Sequence, residues 1–335
     1  MNDSKLNISI VHNPLYDVKV EFRNGSIKSH FIIKGVSIMS SLSRSRTISY
    51  LIFLVIMWGV NWPLSKFALE YTPPLLFAGL RTLIGGVLLI LVAIPNYKKL
   101  NLRRNWPLYL LSSVLNIVLY YGLQTIGLQY LPAGLFSAIV FLQPVLLGVF
   151  SWFWLGESMY GMKMAGLFLG FLGVFEISAG GLAGHPSITG VLLALGSALS
   201  WAFGTVYMKK TTERVDMVWM VASQLTLGGL LLLGTGSYLE KWSDITWNIP
   251  FISVMLFIAV FVIALGWLVY FKLIGSGEAG KVGAFTFLIP VIAIICSVIF
   301  LGENVTWNLV AGLGMIVVSI LLVNIRPGAL RRTSE

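Results

Sequence analysis

The sequence predicts an all-α integral membrane protein of ten transmembrane helices, arranged as two inverted five-helix repeats. Three observations carry that expectation. The first is composition: 335 residues, 57% hydrophobic and 11% charged, with a mean hydropathy of +0.87. A soluble domain carries about 25% charged residues. The second is spacing. Ten apolar segments each reach the roughly 20 residues that a helix needs to cross a bilayer: 48–68, 74–94, 107–129, 133–155, 161–181, 187–208, 217–238, 251–271, 281–301 and 304–324. In lipid the backbone must satisfy its own polar groups, so such runs are helices. The third is a duplication. Ala133–Glu157, AGLFSAIVFLQPVLLGVFSWFWLGE, returns as Ala279–Glu303, AGKVGAFTFLIPVIAIICSVIFLGE, 146 residues later (279 − 133). At that offset Ala133, Gly134, Ala138, Phe141, Leu142, Pro144, Val145, Leu155, Gly156 and Glu157 meet identical residues. An apolar span written twice points to a membrane domain built from two related halves.

Charge sets the orientation. The formal net charge of +10 sits between apolar runs, where it orients a membrane protein rather than binding nucleic acid. With a cytoplasmic N-terminus, the inner loops hold Lys98, Lys99, Arg103, Arg104, Lys163, Lys209, Lys210, Arg214, Lys272 and Lys281, and the tail adds Arg326, Arg331 and Arg332. The outer segments hold Lys66 and Lys241. Both termini are therefore expected in the cytoplasm. Five spans per half is an odd number, so the second half enters from the opposite side and the repeat is inverted. The expected domains are a five-helix repeat over 47–182, a second over 187–325 and a cytoplasmic tail over 326–335.

Residues 1–46 differ from the rest. They are polar, carry seven Lys or Arg and contain no long apolar run. Two readings stay open: a disordered cytoplasmic tail, or a true start at Met39, whose SSLSRSRTISY lead is the usual approach to a first span. No signal peptide is read here.

Ionisable residues inside a span are costly and are functional candidates by default. Arg81 lies in the second span; it reads as a substrate or gate contact, as a side chain snorkelling outward, or as a partner of Glu70. Lys66 and Glu70 are spaced for a local i, i+4 ion pair. Glu176 reads as interfacial. Glu157 and Glu303, each closing a Leu-Gly-Glu, read as caps on neighbouring helices. No acidic residue falls at the centre of a span, which weakens simple carboxylate-based proton coupling. Pro144 and Pro290 interrupt equivalent spans and point to discontinuous, site-lining helices. Gly166, Gly170, Gly173 and Gly312 have the spacing of close helix packing. The three histidines and the lone Cys296 give no metal-ligand spacing, and no metal or other cofactor is expected.

Deep aromatic and polar side chains mark the expected binding site: Trp58, Asn61, Tyr120, Tyr121, Gln124, Gln143, Trp201, Trp267 and Tyr270, with Asn116 beside them. Trp58 and Trp201 are related at offset 143 (201 − 58), and Tyr121 and Trp267 at offset 146 (267 − 121). The first pair is expected around one central cavity, with Tyr121 toward its outer mouth and Trp267 toward its inner one. Gln124, Gln143 and Asn116 are expected to supply hydrogen bonds there.

WGVNWPLSKFAL (58–69), PPLLFAGLR (73–81), the YYGLQ…LPAG lead (120–134), the two PV…LGE copies and SWAFGTVYMKK (200–210) resemble the drug/metabolite transporter superfamily, EamA type, over about 48–325. The resemblance implies two inverted five-helix repeats around a central cavity, and movement of small metabolites across the cytoplasmic membrane, often outward. The alternatives are an integral-membrane enzyme, for which no clustered His, Asp or Glu is found, or a non-transporting membrane protein. The expected partners are a small-molecule substrate and the lipid bilayer, with a monomeric or weakly dimeric chain.

Overall fold

Among the described residues, length and hydropathy single out seven helices able to cross a membrane: Ser45–Ala68, Pro74–Lys99, Leu102–Gly127, Ala133–Trp154, Ile188–Thr211, Met217–Leu239 and Ile249–Tyr270. Three shorter apolar helices, Gly161–Gly173, Leu288–Leu301 and Trp307–Leu322, accompany them. The computed structural model describes residues 7–13, 16–23, 26–32, 44–156, 159–180, 187–211, 214–275 and 288–324. The chain divides into two units, Met1–Ser41 and Leu42–Glu335.

The first unit departs from the expected disordered tail. Strands β1 (Asn7–Asn13), β2 (Tyr16–Arg23) and β3 (Ser26–Ile32) form an antiparallel meander. The sequence alternates there (Val18, Val20, Phe22), and Asn24-Gly25 between β2 and β3 is a strong short-range hairpin signal. Arg23 pairs with Ser26 where β2 and β3 meet.

The second unit is helical. In order it contains α1 (Arg44–Ala68), α2 (Pro74–Ala93), α3 (Leu102–Ser113), α4 (Tyr120–Gly127), α5 (Ala133–Val140), α6 (Gln143–Leu155), α7 (Gly161–Gly180), α8 (Ile188–Thr211), α9 (Met217–Leu239), α10 (Ile249–Phe257), α11 (Gly266–Gly275), α12 (Leu288–Leu301) and α13 (Trp307–Asn324). Helices start where donors find acceptors. Asp216 accepts from the Trp219 amide (3.2 Å) ahead of α9, and Asn248 from the Phe251 amide (2.9 Å) ahead of α10. The outer surface is apolar: Phe153, Phe168, Phe175, Ile249 and Phe300 are more than two-thirds exposed, which suits lipid.

The sequence duplication reappears as backbone geometry. Helix α5 stops at Val140, and α6 restarts at Gln143 with Pro144 in its first turn. Helix α12 carries Pro290, which corresponds to Pro144 at offset 146 (290 − 144). Pro144 is thus a helix start rather than a kink within a continuous helix, because a first-turn residue has no amide partner to lose. The leading part of the second copy, 279–287, lies outside the described residues. Gly156 and Gly302 adopt φ of +68° and +65° with open space where a Cβ would sit; this left-handed end is what glycine supplies at a helix C-terminus.

A rarer feature is also doubled. The segments Val114–Leu119 and Ile258–Leu265 are π-helical and end at equivalent residues (265 − 119 = 146). π turns occupy well under 1% of residues and cluster at functional sites. Each leaves carbonyls to be satisfied from outside its helix. Trp58 Nε1 on α1 donates to the Val262 carbonyl (3.3 Å), and Ser200 Oγ on α8 donates to the Leu115 carbonyl (2.7 Å).

The most extensive helix pairings are α2 with α9 and α7 with α13. Small residues permit them. A Cβ on Gly86 would lie 2.6 Å from the Thr226 amide nitrogen, and one on Gly173 would lie 2.7 Å from the Gly312 carbonyl. Ser319 Oγ on α13 donates to the Gly166 carbonyl on α7.

Candidate functional site

A cavity opens where α1, α8 and the two π-bearing spans meet. It is lined by Trp58, Asn61, Trp62, Tyr120, Tyr121, Phe141, Trp201, Val262 and Trp267. Its volume is about 20 Å³, room for about one water molecule. The walls are therefore closed upon each other. Trp58 is the hub: its ring lies 6.3 Å from Trp201, 5.6 Å from Trp267 and 5.4 Å from Tyr270. Tyr120 lies 5.1 Å from Trp201 and 4.7 Å from Tyr121. Such pairs each add about 0.5–1.5 kcal/mol beyond simple burial.

Six of the nine expected binding residues line this space: Trp58, Asn61, Tyr120, Tyr121, Trp201 and Trp267. Tyr270 stands directly behind Trp58. Tyr121 and Trp267 both line this one cavity. Gln124 and Gln143 are not among the lining residues. Gln124 is fully buried, with no hydrogen-bond partner among the described residues at either amide atom, and Gln143 is buried at the first position of α6. Asn116 is also elsewhere. Its Nδ2 donates to Ser112 Oγ (3.3 Å) and Gln224 Oε1 (3.4 Å), while Ser112 Oγ donates to the same Gln224 oxygen (2.5 Å). Asn116 occupies room that Gly204 leaves free, since a Cβ there would meet Asn116 Oδ1 at 2.2 Å. Trp62, Phe141 and Val262 line the cavity without having been expected there; Phe141 carries a sequence signal, being identical in both copies of the duplicated span.

Arg81 neither snorkels nor meets Glu70. It has no exposed surface. Nη1 donates to Ser65 Oγ (2.8 Å) and more weakly to Asn61 Oδ1 (3.4 Å). The guanidinium carbon lies 4.9 Å from the Phe77 ring centre and 5.0 Å from that of Tyr121, within cation–π range. Asn61 and Tyr121 both line the cavity, so Arg81 stands one side-chain layer behind its wall.

Charged side chains clasp several helix termini. Lys66 Nζ donates to the carbonyls of Leu128 and Leu131 (the latter at 3.0 Å) beyond the end of α4, instead of pairing with Glu70. Glu303 accepts from the Ala133 (2.6 Å) and Gly134 (3.0 Å) amides at the start of α5. Glu240 does the same for Leu75 (2.9 Å) and Leu76 (2.8 Å) at the start of α2. Cations suit helix C-termini and anions N-termini. Glu157 lies outside the described residues. Glu176 accepts from Asn308 Nδ2 (2.8 Å), joining α7 to α13.

The fold and cavity define a class: a multi-pass helical membrane protein with an aromatic-lined centre. The chain belongs to the EamA-like transporter family, whose model matches residues 45–179 and 188–325, one match in each half. It is 66% identical over 291 residues to the uncharacterized transporter YvbV of Bacillus subtilis (strain 168), covering 87% of this chain and 95% of that protein. It is 30% identical over 306 residues to a probable amino-acid metabolite efflux pump of Salmonella typhimurium, covering 85% and 96%. A crystal structure at 18% identity, covering 88% of this chain and 100% of the other, superposes with a TM-score of 0.63; at that identity the likeness concerns the fold alone.

Proposed function

We propose that the chain is a secondary transporter of the cytoplasmic membrane that exports a small metabolite by alternating access, with the cavity around Trp58 and Trp201 as its substrate site. The observation that carries this reading is the cavity's position. It lies between α1 and α8, which correspond at offset 143 (201 − 58), and between two spans whose π turns correspond at offset 146 (265 − 119). A site on the axis relating two halves faces each side of the membrane in turn when one half rocks against the other. The seven long helices and three shorter apolar ones become ten spans in two inverted repeats, over 47–182 and 187–325, with both termini cytoplasmic. The cavity's closure around about one water fits an occluded state, and the break ahead of the proline-started helix α6 supplies a place for the chain to hinge. The aromatic walls suit stacking or cation–π contact with a guest, and Asn61 supplies a polar contact. The relatives named amino-acid metabolite efflux pumps support amino acids or related compounds as candidates.

Reconstitution in liposomes tests the proposal: radiolabelled amino acids and amines are screened for flux that depends on the protein. Trp58→Ala and Trp201→Ala should each lower that flux at least tenfold while the protein stays monodisperse. Unchanged flux in both would place the site elsewhere. A reporter active only outside the cytoplasm, fused after Arg332, should be silent; activity would overturn the five-plus-five scheme.

A further inference from the structure

We infer that the cavity takes a small molecule bearing a carboxylate, and that Arg81 supplies its counter-charge. This rests on the cavity being the substrate site. Arg81 has no exposed surface, and an arginine stays charged there. Nη1 is used on Ser65 and Asn61, while Nε and Nη2 have no acceptor among the described residues. These two nitrogens form one edge of the planar guanidinium, the fork that matches both oxygens of a carboxylate. No carboxylate among the described residues takes that place: Glu303 and Glu240 are engaged at helix N-termini, and Glu176 with Asn308. An uncompensated buried charge is unfavourable, and in a medium of low dielectric its attraction for an anion is strong.

The second half makes the arginine specific. Gly85-Gly86 on α2 corresponds to Gly228-Gly229 on α9 (228 − 85 = 143), and at that offset Arg81 meets Gln224. Gln224 is neutral, and its Oε1 accepts from Ser112 and Asn116. The scaffold thus accommodates a neutral amide at this position, so carrying the α2 chain between α1 and α9 does not by itself call for a guanidinium. Asn61 and Tyr121, the side chains that separate Arg81 from the cavity, each touch both. A carboxylate entering the cavity therefore needs only one side-chain layer to yield before it meets the guanidinium.

The test is equilibrium binding by isothermal titration to the purified full chain in nanodiscs. The probes are L-amino acids and short mono- and dicarboxylates, each beside its amide and the matching amine without the carboxyl group. At least one acid should bind saturably, and its amide and amine at least tenfold more weakly. Arg81→Gln should bind acid and amide within threefold of each other, and Arg81→Lys should recover part of the preference, since a point charge replaces the fork. If Arg81→Gln does not fold, the acid-to-amide ratio in the wild type and in Arg81→Lys decides. Amides or amines binding as tightly as acids, a preference kept by Arg81→Gln, or no acid binding at all would overturn the inference. Tight amine binding abolished by Trp58→Ala would keep the cavity and reject the carboxylate. Acid binding lost in Arg81→Gln but untouched by both tryptophan variants would reject the cavity as the site.

Discussion

Arg81 and Gln224 stand at corresponding places in the two halves, on helices that pack against each other, and their surroundings diverge. Arg81 lies between Phe77 and Tyr121 with one nitrogen bonded and two without acceptors among the described residues. Gln224 faces Ser112 and Asn116; its carbonyl oxygen is held by both, while its Nε2 finds no acceptor among the described residues. The comparison separates scaffold from working surface. The α2/α9 pairing, with glycine close approach along it, is shared by both positions. The charge is present on one side only, next to the aromatic cavity. A duplicated fold can keep its frame symmetric and place its specificity in one half.

The largest expected effect is Gln224→Arg. A second buried cation would meet Ser112 and Asn116, neither of which can neutralise it, at a cost of about 3–5 kcal/mol. Size-exclusion chromatography should show loss of the monodisperse peak; a normal peak would mean that both positions tolerate charge and would remove the contrast. Next is Gly86→Val, where even a Cβ would meet the Thr226 backbone at 2.6 Å. Overpacking of this kind costs about 1–3 kcal/mol. The thermal midpoint should fall while any folded protein keeps its flux per molecule. A fall in specific flux at normal stability would make the α2/α9 seam a moving part instead of the frame.

Pro144→Ala should act on motion. It gives α6 a first-turn amide and lets α5 and α6 join across Phe141 and Leu142. Flux should drop more than abundance; equal losses would leave the proline a packing role. The smallest effect is expected from Glu303→Gln, which keeps an acceptor for Ala133 or Gly134 but removes the charge from the α5 N-terminus, about 0.3–1 kcal/mol. Stability should change little, and a collapse would show that this clasp holds the fold together.

Much of this was legible in the residues. The repeated LGE glycines, the paired prolines and the aromatic set around Trp58 and Trp201 all stem from the duplication. Other features depended on contacts between distant segments. Gln124 and Asn116 share the third span with the two tyrosines, and no periodicity tells which of its faces meets α8 or α9. Lys66 spaced four residues from Glu70 suggests an ion pair; the carbonyls it reaches instead belong to a turn 62 residues away. Its sister clasp at Glu303 matches the helix-capping role read from the duplicated motif. The Asn24-Gly25 hairpin signal was present in the N-terminal segment, where a polar composition outweighed it.

The central claim is that the space around Trp58, Asn61 and Trp201 is reached from both sides of the membrane. Its most direct measurement needs no known substrate. With Cys296→Ser as background, Asn61→Cys in oriented vesicles is exposed to a membrane-impermeant maleimide from the cytoplasmic side alone and from the outer side alone. The account predicts labelling from each side in separate experiments. Labelling from one side only, or from neither, would contradict it.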